Sequence, residues 1–244
     1  MGVRAGPIKR PSLPRRTPAA TPTGMIVRSP GAALALFAAI ALTGCATVAP
    51  AGASPQDTFW QALSTHCGKA YAGAMVSEQA ADADMRGQPM AMHVRRCTDT
   101  RIEVPFHVRR ADGTWDRSRT WIFTRTGVGG RGGLRLKHDH RHAEGSADVL
   151  TMYGGDTAAP GTARAQDFPV DDESIALFRR EDRAVSTTNV WRVEVDPLPA
   201  GSNERGDRPR FAYQLTRPAP DDRMFRVEFD LARPIDPPPA PWGY

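Results

Sequence analysis

Two periodicities divide the chain. Between residues 54 and 67, Phe59, Trp60, Leu63 and Cys67 recur at helical spacing on one face. Ser54 suits an N-cap, Pro55 the first helical position and Asp57 the first turn. The spacing therefore predicts an opening helix that packs inward and carries Cys67 with it, ended by Gly68 and Gly73. Residues 76–88 are polar and irregular. From Met90 onward the period falls to two. Met90, Met92 and Val94 alternate with polar neighbours, and Ile102, Val104, Phe106 and Val108 do so more clearly. Further strands are predicted at Thr120 to Phe123, from Leu134 and Leu136, and at Val149 to Tyr153, Val190 to Val195, Phe211 to Leu215 and Phe225 to Leu231. Turn signals separate them: Ala111-Asp112-Gly113, the glycines of 127–133, Glu144-Gly145, and Gly201 to Pro209. A further helical turn is expected near Ile175, Leu177 and Phe178. The pattern predicts a mainly β fold, an antiparallel barrel or sandwich of about eight strands with one N-terminal helix, over residues 56–233. A proline-rich tail, 234–244, follows along the surface.

The N-terminal stretch obeys neither period. Residues 31–44, GAALALFAAIALTG, form an apolar run without charge, shorter than the roughly 20 residues needed to span a bilayer. Arg28 precedes it, the charged-then-apolar layout of a secretory signal. Met25 begins a compact signal of this kind, so translation is expected to start there rather than at Met1. The run closes on Leu42-Thr43-Gly44-Cys45, which resembles the lipobox of bacterial lipoproteins. That resemblance implies lipidation of Cys45 and cleavage before it, so residues 1–45 are read as leader and signal peptide. Ala46, rather than Asp, follows the cysteine, which resembles lipoproteins sorted to the outer membrane and facing the periplasm. A plain signal peptide or an uncleaved anchor are the alternatives. Residues 46–55 then read as a flexible small-residue tether.

Charge changes the picture once it is divided along the chain. The net charge of +5 points to nucleic acid at first sight. Residues 1–44 hold six Lys and Arg and no acid, which leaves 26 basic against 27 acidic residues in the remaining 200. The basicity belongs to the leader, and a nucleic-acid partner is not expected. Cysteine usage agrees with export. Apart from Cys45 the chain has only Cys67 and Cys97, an even number suited to a disulfide. Closing a loop of about 30 residues is worth roughly 3–4 kcal/mol in the chain-entropy model. Two buried free thiols are the other reading.

Candidate chemistry is sparse. Gly127-x-Gly129-x-x-Gly132 matches the dinucleotide fingerprint in form, but Leu134-Arg135-Leu136 after it alternates as a strand. The phosphate-binding helix that motif requires is therefore absent, and the segment reads as a hairpin loop. Asp171-Asp172-Glu173 precede the expected helical turn, where acids need no catalytic explanation. No G-x-S-x-G elbow occurs. The histidines carry more. In Lys137-His138-Asp139-His140-Arg141-His142 the three imidazoles share strand parity with Leu134 and Leu136. If the leucines face a core, His138, His140 and His142 continue that row toward one end of the barrel. Imidazoles two residues apart on a strand are spaced to converge on zinc or another divalent metal, with Glu144 or Asp148 as a further ligand. A hydrogen-bonded or solvated row without a ligand is the plainer alternative. Arg117, Ser118, Arg119 and Trp121 lie on the neighbouring strand in a register that the glycine loop leaves open.

The string LRLKHDHRHAEGSADVLTMYGG (134–155), together with Asp116 to Trp121 and Phe225 to Asp230, resembles an uncharacterised family of exported bacterial proteins. That resemblance implies an exported context and no particular activity. The one-helix, many-strand outline is also similar in architecture to ligand-binding barrels of the lipocalin type. The reading is a lipid-anchored envelope protein that binds a small ligand or envelope partner at the His-bearing end of the barrel. A metal-assisted or His-dependent hydrolase at the same end, and a structural lipoprotein without a pocket, are the alternatives.

Overall fold

The computed structural model describes residues 52–127, 132–196 and 208–244. The leader, Cys45, most of the tether and the start of the turn expected at Gly201 lie outside them. The first element, α1 (Pro55–Ser64), begins as its sequence requires. The Ser54 hydroxyl accepts from the Asp57 N–H at 3.0 Å, and the Asp57 carboxylate accepts from the Ser54 N–H at 3.3 Å. This reciprocal pair satisfies donors that a helix start leaves open. Phe59, Trp60 and Leu63 form the buried face.

Among the described residues eleven strands follow: β1 (Ala70–Met75), β2 (Met90–His93), β3 (Arg96–Cys97), β4 (Arg101–Arg109), β5 (Trp115–Thr126), β6 (Gly133–His140), β7 (Tyr153–Asp156), β8 (Ala165–Pro169), β9 (Val190–Val195), β10 (Arg210–Arg217) and β11 (Arg223–Ile235). A second helix, α2 (Asp172–Arg180), stands between β8 and β9, and 3-10 turns occupy Ala80–Met85 and Ala184–Thr188. Every strand pair is antiparallel. The sheet runs β7-β6-β5-β4-β2-β1-β11-β10-β9-β8, with β3 paired to β4 outside this path. One bridge, Gly155 to Val170, brings the two ends together, so the sheet is a nearly closed barrel. The expected mainly antiparallel β fold is what forms, as the barrel rather than the sandwich.

The seam depends on two glycines. A Cβ on Gly154 would stand 1.8 Å from the Leu136 carbonyl oxygen, and one on Gly155 would stand 1.8 Å from that of Pro169. Only a residue without a side chain lets these backbones approach so closely. Helix α2 fastens the same seam. Asp171 caps it by accepting from Ser174 N–H at 2.8 Å, and the Ser174 hydroxyl accepts from Gly154 N–H at 2.8 Å. Lys137, on the outer face of β6, pairs with Asp171 at 2.8 Å and Glu173 at 2.9 Å. The acidic run at 171–173 thus serves a helix start and a surface pairing.

Several expectations need correction. Gly73 does not end the first helix; it sits within β1, where Phe229 leaves no room for a side chain. The strand expected at Val149 to Tyr153 begins only at Tyr153, and Val149 is exposed. Strands β1 and β8 were not expected, nor a second helix as long as α2. The Cys67–Cys97 disulfide is formed, with Cα atoms 6.2 Å apart, and ties the segment after α1 to β3. Pro234 and Ile235, expected in the tail, belong to β11 and pair with β1, and the residues after them lie on the outer wall. Trp242 N–H donates to the Arg117 carbonyl at 3.1 Å, Arg141 stacks on Tyr244 at 5.4 Å, and the Tyr244 hydroxyl donates to Asp139. This cover explains why β4 is buried on both faces: His107 lies beneath the tail beside Trp115.

Candidate functional site

The inward phase of β5 and β6 is set by their register. Phe123 pairs with Leu136, Trp121 with His138, and Arg119 with His140. The row thus passes from packed leucine to buried imidazole to the barrel end in three steps. Trp121 stacks between Phe106 at 4.9 Å and Tyr213 at 4.4 Å, so the interior is aromatic just below the histidines. The opposite end is occupied by α1: Arg125, at the end of β5, lies 5.3 Å over the Trp60 ring and pairs with Asp57.

His138 is buried and fully satisfied. Its Nδ1 stands 3.0 Å from the Tyr153 carbonyl, which can only accept, so Nδ1 carries the proton. Nε2 is then an acceptor for the Tyr213 hydroxyl, 2.8 Å away. Burial pushes the His138 pKa down to about 3, with His140 and Lys137 adding to the effect and the Tyr153 carbonyl opposing it. His140 Nε2 stands 3.2 Å from the Tyr153 hydroxyl. Its pKa falls to about 4, chiefly through burial and then through Arg119, against Asp148, Asp139 and Asp116. Both rings are neutral at ordinary pH. Burial also raises the Tyr153 hydroxyl to about 12 and the Tyr213 hydroxyl well above its usual range.

Around this group the barrel opens. An inner recess of about 150 Å³ is walled by Phe106, Trp121, Tyr213 and Phe225, with His138, His140 and Arg119 presenting polar atoms. An outer recess of about 310 Å³ lies toward Phe178, Trp191, Asn189 and Arg217. The two share His140, Tyr153, Tyr213 and Leu215. Apolar aromatic walls with a few convergent polar groups are the usual lining of a small-ligand site. Arg119 at the rim is paired with Asp116 at 2.9 Å, and Arg223 with the buried Asp82.

His142 departs from the row. Strand β6 ends at His140, and a tight turn follows in which Gly145 N–H donates to the His142 carbonyl. That turn takes His142 out of the strand phase. Its side chain is 52% exposed, 3.8 Å from Asp148, and it lines neither recess. Glu144 is exposed and bonded to Ser146. Among the described residues no group of three or more His, Cys, Asp or Glu side chains is placed to hold a metal ion. Of the neighbouring strand, Arg119 and Trp121 face the histidines, while Arg117 reaches outward to the Ala240 carbonyl at 2.7 Å.

Tyr153, Tyr213, Arg217 and Arg223 complete the site and escaped the sequence reading. Tyr213 shares parity with Phe211 and Leu215, and a polar-tipped aromatic on an inward phase was the available signal. Comparison of the chain with family models, curated proteins and solved structures gives no match.

Proposed function

We propose that this is a lipid-anchored protein of the cell envelope that binds a small ligand with an aromatic or compact apolar body in the recess at the His138–His140 end of its barrel. The observation that carries the reading is the fate of the inward row. It ends in an open recess rather than in packed core, and the polar atoms of its inner wall, from His138, His140, Tyr153 and Tyr213, belong to neutral, oriented groups, with the charged groups toward the rim. Neutral imidazoles and tyrosine hydroxyls can be covered by an apolar ligand at far smaller cost than charges. Lipidation at Cys45 rests on the LTGC sequence at the end of the apolar run, residence in the outer membrane on Ala46 after it, and the disulfide suits an oxidising compartment. A tether entering at Ser54 joins the barrel beside α1, at the end remote from the recess. The distance from Arg125 to Arg119 along β5 is roughly 20 Å at strand rise.

The test is calorimetric titration of the whole chain with 2-naphthamide, a neutral bicyclic probe, beside a Leu215→Trp variant. Leu215 touches both recesses, so an indole there obstructs the wall that they share. Saturable heat from the natural chain, lost in a variant that still melts cooperatively, is the expected result. Equal heat from both proteins, or none from the natural chain with either this amide or the corresponding acid, 2-naphthoate, contradicts the reading.

A further inference from the structure

Arg217 is the half-buried cation of the outer recess, and among the described residues no carboxylate forms an ion pair with it. It closes β10 and stands directly opposite Arg223 in the β10–β11 register. Arg223 is neutralised: its guanidinium spans both carboxylate oxygens of Asp82, with Nη1 2.6 Å from Oδ2, and donates to Gln79 at 2.8 Å. Arg217 instead has a neutral amide. Its Nε donates to Oδ1 of Asn189 at 2.9 Å, and Asn189 is itself 4% exposed. Among the described residues, neither Nη group of Arg217 meets a protein acceptor. Burial, and then Arg223, work against its charge, with Asp221 opposing them. The other charged groups of the recess are Arg183, exposed and without an acidic partner among the described residues, and Asp148, which accepts from Leu150 N–H at 2.8 Å and lies 3.8 Å from His142.

Holding a half-buried guanidinium beside a second one, with only an amide to orient it, costs stability. The amide engages Nε and leaves both Nη groups of a guanidinium that lines the recess for a ligand, and such a fork can grip a carboxylate through two parallel hydrogen bonds. A lysine would supply the charge without that orientation.

We infer that the outer recess binds the carboxylate of an amphipathic acid through Arg217, while the ligand's ring or chain lies against the shared wall of Tyr153, Tyr213 and Leu215. The inference rests on the recess being a ligand site, and it adds the class of ligand: a small organic anion with an apolar body. His138 and His140, being neutral, contribute no charge to it. Arg183 adds positive potential at the rim, where an incoming anion first meets the protein.

The experiment compares 2-naphthoate with 2-naphthamide, which has the same rings and no charge, by calorimetric titration of the whole chain and of its Arg217→Gln and Arg217→Lys variants. The acid should bind the natural chain about tenfold or more tightly than the amide, the size of one charge-assisted pair. Arg217→Gln should bring the acid to the level of the amide and leave the amide unchanged. Arg217→Lys should keep part of the preference. Acid and amide binding alike, or a preference that survives Arg217→Gln, overturns the anion site while leaving a ligand recess in place. Neither probe binding overturns both. If Arg217→Gln fails to fold, the acid-to-amide ratio of the natural chain and its reduction in Arg217→Lys still decide the matter.

Discussion

His138 and Tyr213 meet across the barrel interior at 2.8 Å, although 75 residues separate them in sequence. The Tyr153 carbonyl fixes the proton on Nδ1, so the Tyr213 hydroxyl donates to Nε2 and joins β6 to β10 above the aromatic core. Because the imidazole is nearly inaccessible, the bond has no water to replace it.

Tyr213→Phe should therefore destabilise the fold by about 1–3 kcal/mol, the cost of leaving one buried acceptor unpaired. For a chain of this size that is a fall of roughly 2–4 °C in melting temperature per kcal/mol. Thermal unfolding measures it directly. An unchanged midpoint would mean that the His138 ring finds another donor.

Acid should weaken the protein through its histidines. Burial lowers His66, His107 and His140 to about 4 and His138 to about 3, whereas an unfolded histidine titrates near 6.5. Between these values the unfolded chain binds more protons than the folded one. Stability is thus fully present above about pH 6.5 and is lost as the pH falls toward 4. Urea midpoints should fall steadily from about pH 7 to about pH 4.5, with a shallower slope in His140→Gln. A midpoint independent of pH over this range would show that the buried rings titrate normally.

Closure of the barrel should fail locally when Gly155 is replaced by alanine, because the new methyl would overlap the Pro169 carbonyl. A cost on the order of 1–3 kcal/mol is expected for such overpacking. Hydrogen exchange at the Asp171 amide, which donates to the Gly154 carbonyl at 3.0 Å, should quicken more than exchange in β10. Uniform acceleration would indicate global destabilisation rather than an opened seam.

Cys45→Ser should release the protein from the membrane fraction or leave an uncleaved precursor. Fractionation of cells producing the whole chain provides the check. A variant that partitions into detergent as before, with no precursor retained, removes the anchor from the proposal.

Much of this architecture was legible because apolar alternation records which face of a strand is buried. β4, β6, β9, β10 and β11 all contain the runs read from the sequence, and Ser54-Pro55-x-Asp57 marked the start of α1. The failures have a common cause. β1 (AYAGAM) and the seam strand β7 (YGGD) are built from small residues whose merit is close backbone approach, and this leaves no hydrophobic period to read. β8 (AQDFP) conceals its inward phase because Gln166 occupies an interior position and bonds to the carbonyls of Pro160 and Thr162. The site was half visible. Parity placed His138 and His140 together, whereas the turn after His140 removed His142. Tyr213 and Arg217 could be joined to them only by a closure that brings β10 opposite β6.

The five tryptophans offer the most direct measurement of where a ligand sits. Trp121 walls the inner recess and Trp191 the outer one, whereas Trp60 belongs to α1 at the far end and Trp115 and Trp242 lie on the outer wall. Indole N–H resonances followed by nuclear magnetic resonance during titration with 2-naphthoate should shift for Trp121 and Trp191 while the other three hold still. Movement of Trp60, Trp115 or Trp242 with Trp121 and Trp191 unmoved would place binding elsewhere and contradict a ligand site at the His138–His140 end.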